Sequence, residues 1–297
     1  MLYSYSIGLV YAILSALCAA LTQAVLSKPI MSSDSSSVAF LTVLVGIVIS
    51  AVLMILTGWT YFLQPVGLVV IAIFAAVGIL QYGASRRTFY YAIRNLGANI
   101  TAPIIMMTMM VGADILALVF LQERITGSML FGIALVLVGG FLLEGHRAAG
   151  LRGGATGKGY VAAVAAGIAP AFAAVMISYG LSVFPHIIAS VFISYSAASI
   201  YYLVSMRPKS IASLVRVTPR KSMIAFLVAG VTAVGAQLFR AGALGTAPVV
   251  LVIPFLTASN LFIPLLTWAL AKDVELFNPK TLLGIVIITL GLIFVAI

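Results

Sequence analysis

The chain has 297 residues, 63% hydrophobic and only 7% charged, and a mean hydropathy of +1.24. Soluble domains carry about 25% charged residues, so the composition excludes a soluble globular protein and indicates an integral membrane protein. The net charge of +10 is spread over loops at span ends, the pattern that orients a polytopic protein rather than one that binds nucleic acid.

Hydropathy and turn signals predict ten apolar spans, at about 5–27, 37–58, 66–92, 97–121, 127–145, 158–180, 186–206, 222–243, 247–271 and 279–297. Lengths of roughly 18 to 25 residues suit helices crossing about 30 Å of hydrocarbon; the ten-residue alternation of a β-barrel is not seen. The first run lacks a basic n-region and an A-x-A site, so it reads as a retained span, not a cleaved signal. The single Cys18 excludes a disulfide framework within one chain. Connections near Gly58–Pro65, Gln122–Gly127, Leu181–His186 and Leu244–Pro248 are short, so consecutive spans are antiparallel.

The glycine-rich segment from Gly145 to Lys158 is the natural midpoint, and cutting there exposes an internal repeat. Gly8 matches Gly159, Ala92-Ile93 matches Ala243-Leu244, and Pro103 matches Pro254, all at an offset of 151. One residue of insertion later, Glu123, Gly132 and Gly139 match Glu275, Gly284 and Gly291 at 152. The expected domains are therefore 1–150 and 151–297, each of five spans. Five is odd, so the second half enters the membrane from the opposite side. The predicted fold is an all-α membrane protein of ten transmembrane helices in two inverted five-helix repeats around a central cavity.

The order AIR, Pro103, LQERITGSMLFGIALVLVGGFLL in the first half, with AKDVELFNPKTLLGIVIITLGLIFVAI closing the second, resembles the drug/metabolite transporter superfamily, in its branch with two EamA-type domains. The likeness covers essentially the whole chain. It departs in the second half, where Asp273-Val274-Glu275 and Asn278-Pro279 stand in place of the usual Gly-Glu-Arg-Leu-Thr. The resemblance implies a carrier, uncoupled, proton-coupled or exchanging, whose central cavity is lined by both halves. It implies no particular substrate. Twelve Lys and Arg residues between Lys28 and Lys280 fall on one side of the membrane, against Arg124 and Arg240 on the other. The charge bias places that basic side in the cytoplasm and both termini outside.

Charge within a span is costly and marks function. Arg86 and Arg87 lie about two turns before the end of the third span, pointing about 100° apart, so both cannot share one environment. Snorkelling to the interface suits one; the other is expected in the bundle. Gln237 is the repeat partner of Arg86, and Arg240 follows it by one turn, so these polar positions are expected to converge on the cavity. A guanidinium fork there suits a carboxylate or phosphate. Tyr82 and Asn260 complete the expected substrate site; Gln81, Ser85, Phe89, Ser190, Ser194, Tyr195, Ser199 and Thr257 are further polar and aromatic groups at helical spacing. Tyr201 and Tyr202 read as an interfacial belt.

Asp114, in the fourth span, has two readings: a structural ion pair with an intramembrane arginine, or a proton-coupling carboxylate. It aligns with Leu265 and has no counterpart in the second half. Pro103 and Pro254 each remove a backbone donor early in the fourth and ninth spans, as gating hinges or static kinks. Glycines 132, 139, 140, 284 and 291 offer close packing within the bundle or between protomers, and Met106, Met107, Met109 and Met110 an adaptable apolar cluster.

The sequence holds no phosphate-binding glycine loop, no metal-spaced cluster and no paired carboxylates, so no catalytic residue, metal or cofactor is expected. The expected activity is secondary transport of a small polar metabolite, anionic or zwitterionic, by alternating access at the cell membrane, as a monomer or homodimer. An ion channel or lipid scramblase on the same bundle is the alternative.

Overall fold

In a computed structural model, residues 2–26, 35–57, 67–96, 98–144, 157–205, 220–259, 261–262, 266 and 279–297 are described. Helices account for nearly all of them, with no strand among the described residues. The first half comprises α1 (Leu2–Leu26), α2 (Ser35–Thr57), a third span, α5 (Ala98–Phe120) and α6 (Gly127–Glu144). The second comprises α7 (Gly157–Val183), α8 (Ile187–Ser205), α9 (Arg220–Thr246), α10 (Val249–Thr257), which opens the ninth span, and α11 (Pro279–Ala296). The midpoint segment 145–156 lies outside the described residues.

The third span is not one uniform helix. It runs as α3 (Leu68–Gly78), a π-helical segment (Ile79–Ala84) and α4 (Ser85–Leu96), reaching several residues past its predicted end. In the π segment the Ser85 N–H returns to the Leu80 carbonyl, one residue further back than in an α-helix. Such wide turns recur at functional sites because they re-aim side chains.

Among the described residues, five helices are long and apolar enough to cross a membrane by themselves: Tyr5–Val25, Phe40–Thr57, Gly157–Val183, Ile187–Ser205 and Met223–Thr246. Leu68–Ala84, Ile104–Phe120, Gly127–Leu142 and Leu282–Ala296 are shorter apolar helices. The outer surface is an apolar girdle in which Leu56, Val161 and Val204 are 75%, 70% and 83% exposed. Soluble monomers do not expose contiguous apolar surface on this scale.

The contacts between halves follow a two-fold pattern. The first span lies on the eighth (α1 on α9), and its counterpart the sixth lies on the third (α7 on α3 and α4). The fourth lies on the sixth (α5 on α7) as the ninth lies on the first (α10 on α1). The second pairs with the seventh (α2 on α8) and the fifth with the tenth (α6 on α11). Each half therefore builds its core largely against the other.

Small residues permit this interlock, since in lipid the attraction between helices comes from close packing. Of the two openings left by the sequence, the glycine faces of the fifth and tenth spans resolve to the bundle: a Cβ at Gly132 would stand 2.5 Å from the Gly291 carbonyl, and one at Gly139 2.9 Å from that of Gly284. A Cβ at Gly78 would collide with the Ser194 carbonyl, so α3 and α8 touch backbone to backbone just before the π segment. Met106 and Met110 are buried, and Met106 fills the space beside Gly140.

Candidate functional site

Proline inside α7 shapes one wall. Pro170 has no N–H, so the Ala166 carbonyl loses its helical donor; the Ser85 hydroxyl supplies one at 2.9 Å. The Pro170 carbonyl in turn accepts from Arg240 Nη2 at 3.4 Å. One proline thus anchors α4 and α9 on the same turn of α7. Nothing in the sequence beyond the proline itself pointed to this role.

The π segment adds Tyr82 to the lining of the same centre. Gln81 Nε2 donates to Gln237 Oε1 at 2.9 Å, joining the halves. The hydrogen bond to Gln237 thus comes from Gln81 of the π segment and not from its repeat partner Arg86. Arg86 Nη1 donates to Thr42 of α2 at 3.2 Å, a partner the sequence reading missed because a lone threonine in an apolar span carries no signal.

Tyr82 is buried and stacks on Tyr195 at 4.9 Å between ring centroids. It lies within electrostatic reach of both Arg86 and Arg240, and Tyr195 within reach of Arg86. Tyr202 is not part of an interfacial belt; it is 3% exposed, and its hydroxyl donates to the Tyr82 carbonyl at 2.6 Å. The belt expectation failed because span-end aromatics turn inward where a neighbouring helix, here the π segment, presents an acceptor. Ser190 and Ser199 bond carbonyls of their own helix, while Ser194 also reaches Phe74 O at 2.9 Å.

Tyr82, Ser190, Ser194 and Gln237 line a cavity of about 10 Å³. That is the scale of a single water, too small for a metabolite. A wider vestibule of about 240 Å³ lies at the membrane face where α1 begins, lined in part by Tyr5, Glu123, Ser178, Ser182 and Thr246.

Two polar atoms at the centre lack partners. Gln81 Oε1 and Arg240 Nε are buried without a hydrogen bond. Among the described residues neither Arg86 nor Arg240 forms an ion pair. An unpaired buried donor costs about 1–3 kcal/mol, more when charged, so two guanidiniums beside one tyrosine are a site suited to an anion.

Asp114 is 5% exposed in α5, about two turns from its end, and its Oδ1 has no hydrogen-bond partner. No described arginine pairs with it, so the ion-pair reading finds no support among the described residues. The side chains of Arg87 and Pro103, and Asn260 as a whole, lie outside the described residues. Pro254 is buried within α10.

Glu123 was legible only as a repeat marker. Gln122 takes a left-handed conformation (φ 55°) at the end of α5, which turns Glu123 under the N-terminus of α10. There its carboxylate accepts from the N–H groups of Val249 (2.8 Å) and Val250 (3.0 Å). Helix N-termini leave such donors free and favour negative charge. Glu123 thus ties the loop between the fourth and fifth spans to the start of the ninth.

One solved crystal structure aligns over 95% of this chain and 95% of its own with a TM-score of 0.73; at 16% identity it speaks for the fold alone. A search of curated proteins by sequence returns no match. The family model of EamA-like transporters matches residues 6–144. Residues 6–144 therefore read as an EamA-like transporter domain, consistent with the drug/metabolite transporter superfamily, and the apolar helices of both halves make the chain a multi-pass membrane protein.

Proposed function

We propose that this transporter carries a small anionic or zwitterionic metabolite across the cell membrane by alternating access, with 1–150 and 151–297 moving as inverted repeats. The observation that carries the reading is Tyr82 flanked by Arg86 and Arg240, neither cation paired with a described carboxylate. Arg86, Arg240 and, from its sequence position, Arg87 would take the anionic group. Tyr82 and Gln237 would orient it, with Asn260 contributing from the ninth span.

Pro103 and Pro254 are the proposed hinges of the fourth and ninth spans. Asp114 is the proposed proton-coupling carboxylate. Both termini are assigned to the outer face, and the protein works as a monomer or homodimer without cofactor.

The test is uptake of radiolabelled organic acids, amino acids and phosphorylated metabolites by proteoliposomes. At least one anionic or zwitterionic compound is expected to accumulate. Arg240→Gln and Arg86→Gln should each lower its uptake about 10- to 100-fold, the worth of a charged hydrogen bond. Transport confined to neutral or cationic compounds, with both variants at full activity, would overturn the reading.

A further inference from the structure

The proposed coupling leaves open how a proton reaches Asp114, whose carboxyl is buried in α5. Glu123 lies within electrostatic reach of Asp114, and it also lines the 240 Å³ vestibule. It is the only carboxylate among the described residues lining that vestibule. The cavity has room for several waters, each taking about 30 Å³, and polar lining from Tyr5, Ser178, Ser182 and Thr246 to hold them.

We infer that Glu123 is the entry residue of a two-carboxylate proton path from the vestibule to Asp114. This rests on the proposed role of Asp114 and adds the route, the face of entry and the residue that controls it. In the inward step the Glu123 carboxylate takes a proton from vestibule water. It then passes that proton through intervening water to the Asp114 carboxylate, which becomes neutral while Glu123 is charged again. Release runs the same steps in reverse.

Other charges near the path are few. Tyr5 of α1 shares the vestibule, and Arg124 is exposed on the same turn. Helix α7 carries Tyr179 at this end and Lys158 at the other. Arg240 of α9 is held on Pro170 and Arg86 of α4 on Thr42. Helices α6 and α10 bring no charged side chain to this end. Burial pushes the Glu123 carboxyl above its usual range, while hydrogen bonds from Val250 and Val249 pull it back.

The path has a mechanical consequence. The carboxylate that takes the proton is the one that holds the first two N–H groups of α10. A protonated carboxyl is a poorer acceptor for them, so each passing proton loosens the hold of the fourth-to-fifth-span loop on the ninth span, which contains Pro254.

The test needs no substrate. The full chain is reconstituted in liposomes, and the Asp114 carboxyl, assigned by its loss in Asp114→Asn, is followed by infrared difference spectroscopy after a pH jump. Glu123→Gln keeps one acceptor oxygen for the α10 cap but cannot carry a proton. It is expected to slow protonation of Asp114 from the vestibule face at least about tenfold, within the range attributed to a positioned proton-transfer group. In the wild type, a jump on the vestibule face should protonate Asp114 at least about tenfold faster than one on the opposite face.

An unchanged rate in Glu123→Gln would overturn the inference, as would equal rates from the two faces, which remains decisive should the variant fold poorly. A failure to transport anions would leave these rates untouched, so the two readings fail separately.

Discussion

Ser85 and Ala166 meet across the interface between the halves at the one carbonyl of α7 that Pro170 deprives of its helical donor, and the serine hydroxyl replaces that donor at 2.9 Å. A break in one helix is thereby turned into a hold on another. The next carbonyl along that face of α7, that of Pro170, receives Arg240.

The replacement of that donor predicts a specific non-additivity. Ser85→Ala should lower stability by about 1–3 kcal/mol, because it leaves a buried carbonyl unsatisfied. Pro170→Ala restores the N–H to the Ala166 carbonyl. In that background Ser85→Ala should cost little, giving a coupling energy of about 1 kcal/mol or more in a double-mutant cycle. Thermal unfolding in detergent measures it; additive effects would show that the hydroxyl does not replace the missing donor.

Close approach of α3 and α8 predicts an intolerant glycine. Gly78→Ala places a methyl against the Ser194 carbonyl, and backbone has no rotamer to move away. A loss of about 1–3 kcal/mol is expected, read as a lower melting temperature. Gly127→Ala, where a Cβ meets nothing within 4 Å, is the matched control and should be neutral or slightly stabilising.

Coupling at Asp114 predicts a split between transport and its driving force. Asp114→Asn should keep exchange of substrate across the membrane while uptake no longer responds to a pH gradient. Counterflow and gradient-driven uptake in the same proteoliposomes separate the two. Gradient-driven accumulation unchanged in the variant would remove Asp114 from the mechanism.

Glu123 predicts a pH dependence of stability. Its folded-state carboxyl is raised, chiefly by burial, so the folded protein binds this proton more tightly than the unfolded chain does. The stability it contributes is fully present below the ordinary glutamate range and is lost as pH rises through the raised value. Melting temperatures of the wild type should fall across that window. Those of Glu123→Gln, which does not titrate, should show a flatter profile; parallel profiles would assign the effect to another group.

Composition alone decided that this chain lives in a bilayer, because backbone polar groups in lipid must bond internally and only long apolar helices achieve that here. Spacing decided the repeat: Glu123 with Gly132 and Gly139 recurs as Glu275 with Gly284 and Gly291, and an odd number of spans leaves inversion as the only arrangement. Those signals are local and periodic, so they survive without coordinates.

Partners across helices are neither local nor periodic, and the tertiary structure decided them. Nothing in the spacing distinguished Gln81 from Arg86 as the partner of Gln237, since the choice depends on a wide turn that re-aims the third span. The inward turn of Tyr202 and the seat of Glu123 under α10 likewise depend on which carbonyls and N–H groups the packing leaves unsatisfied. A buried polar group must find a partner, but its identity is set by helices far apart in the chain.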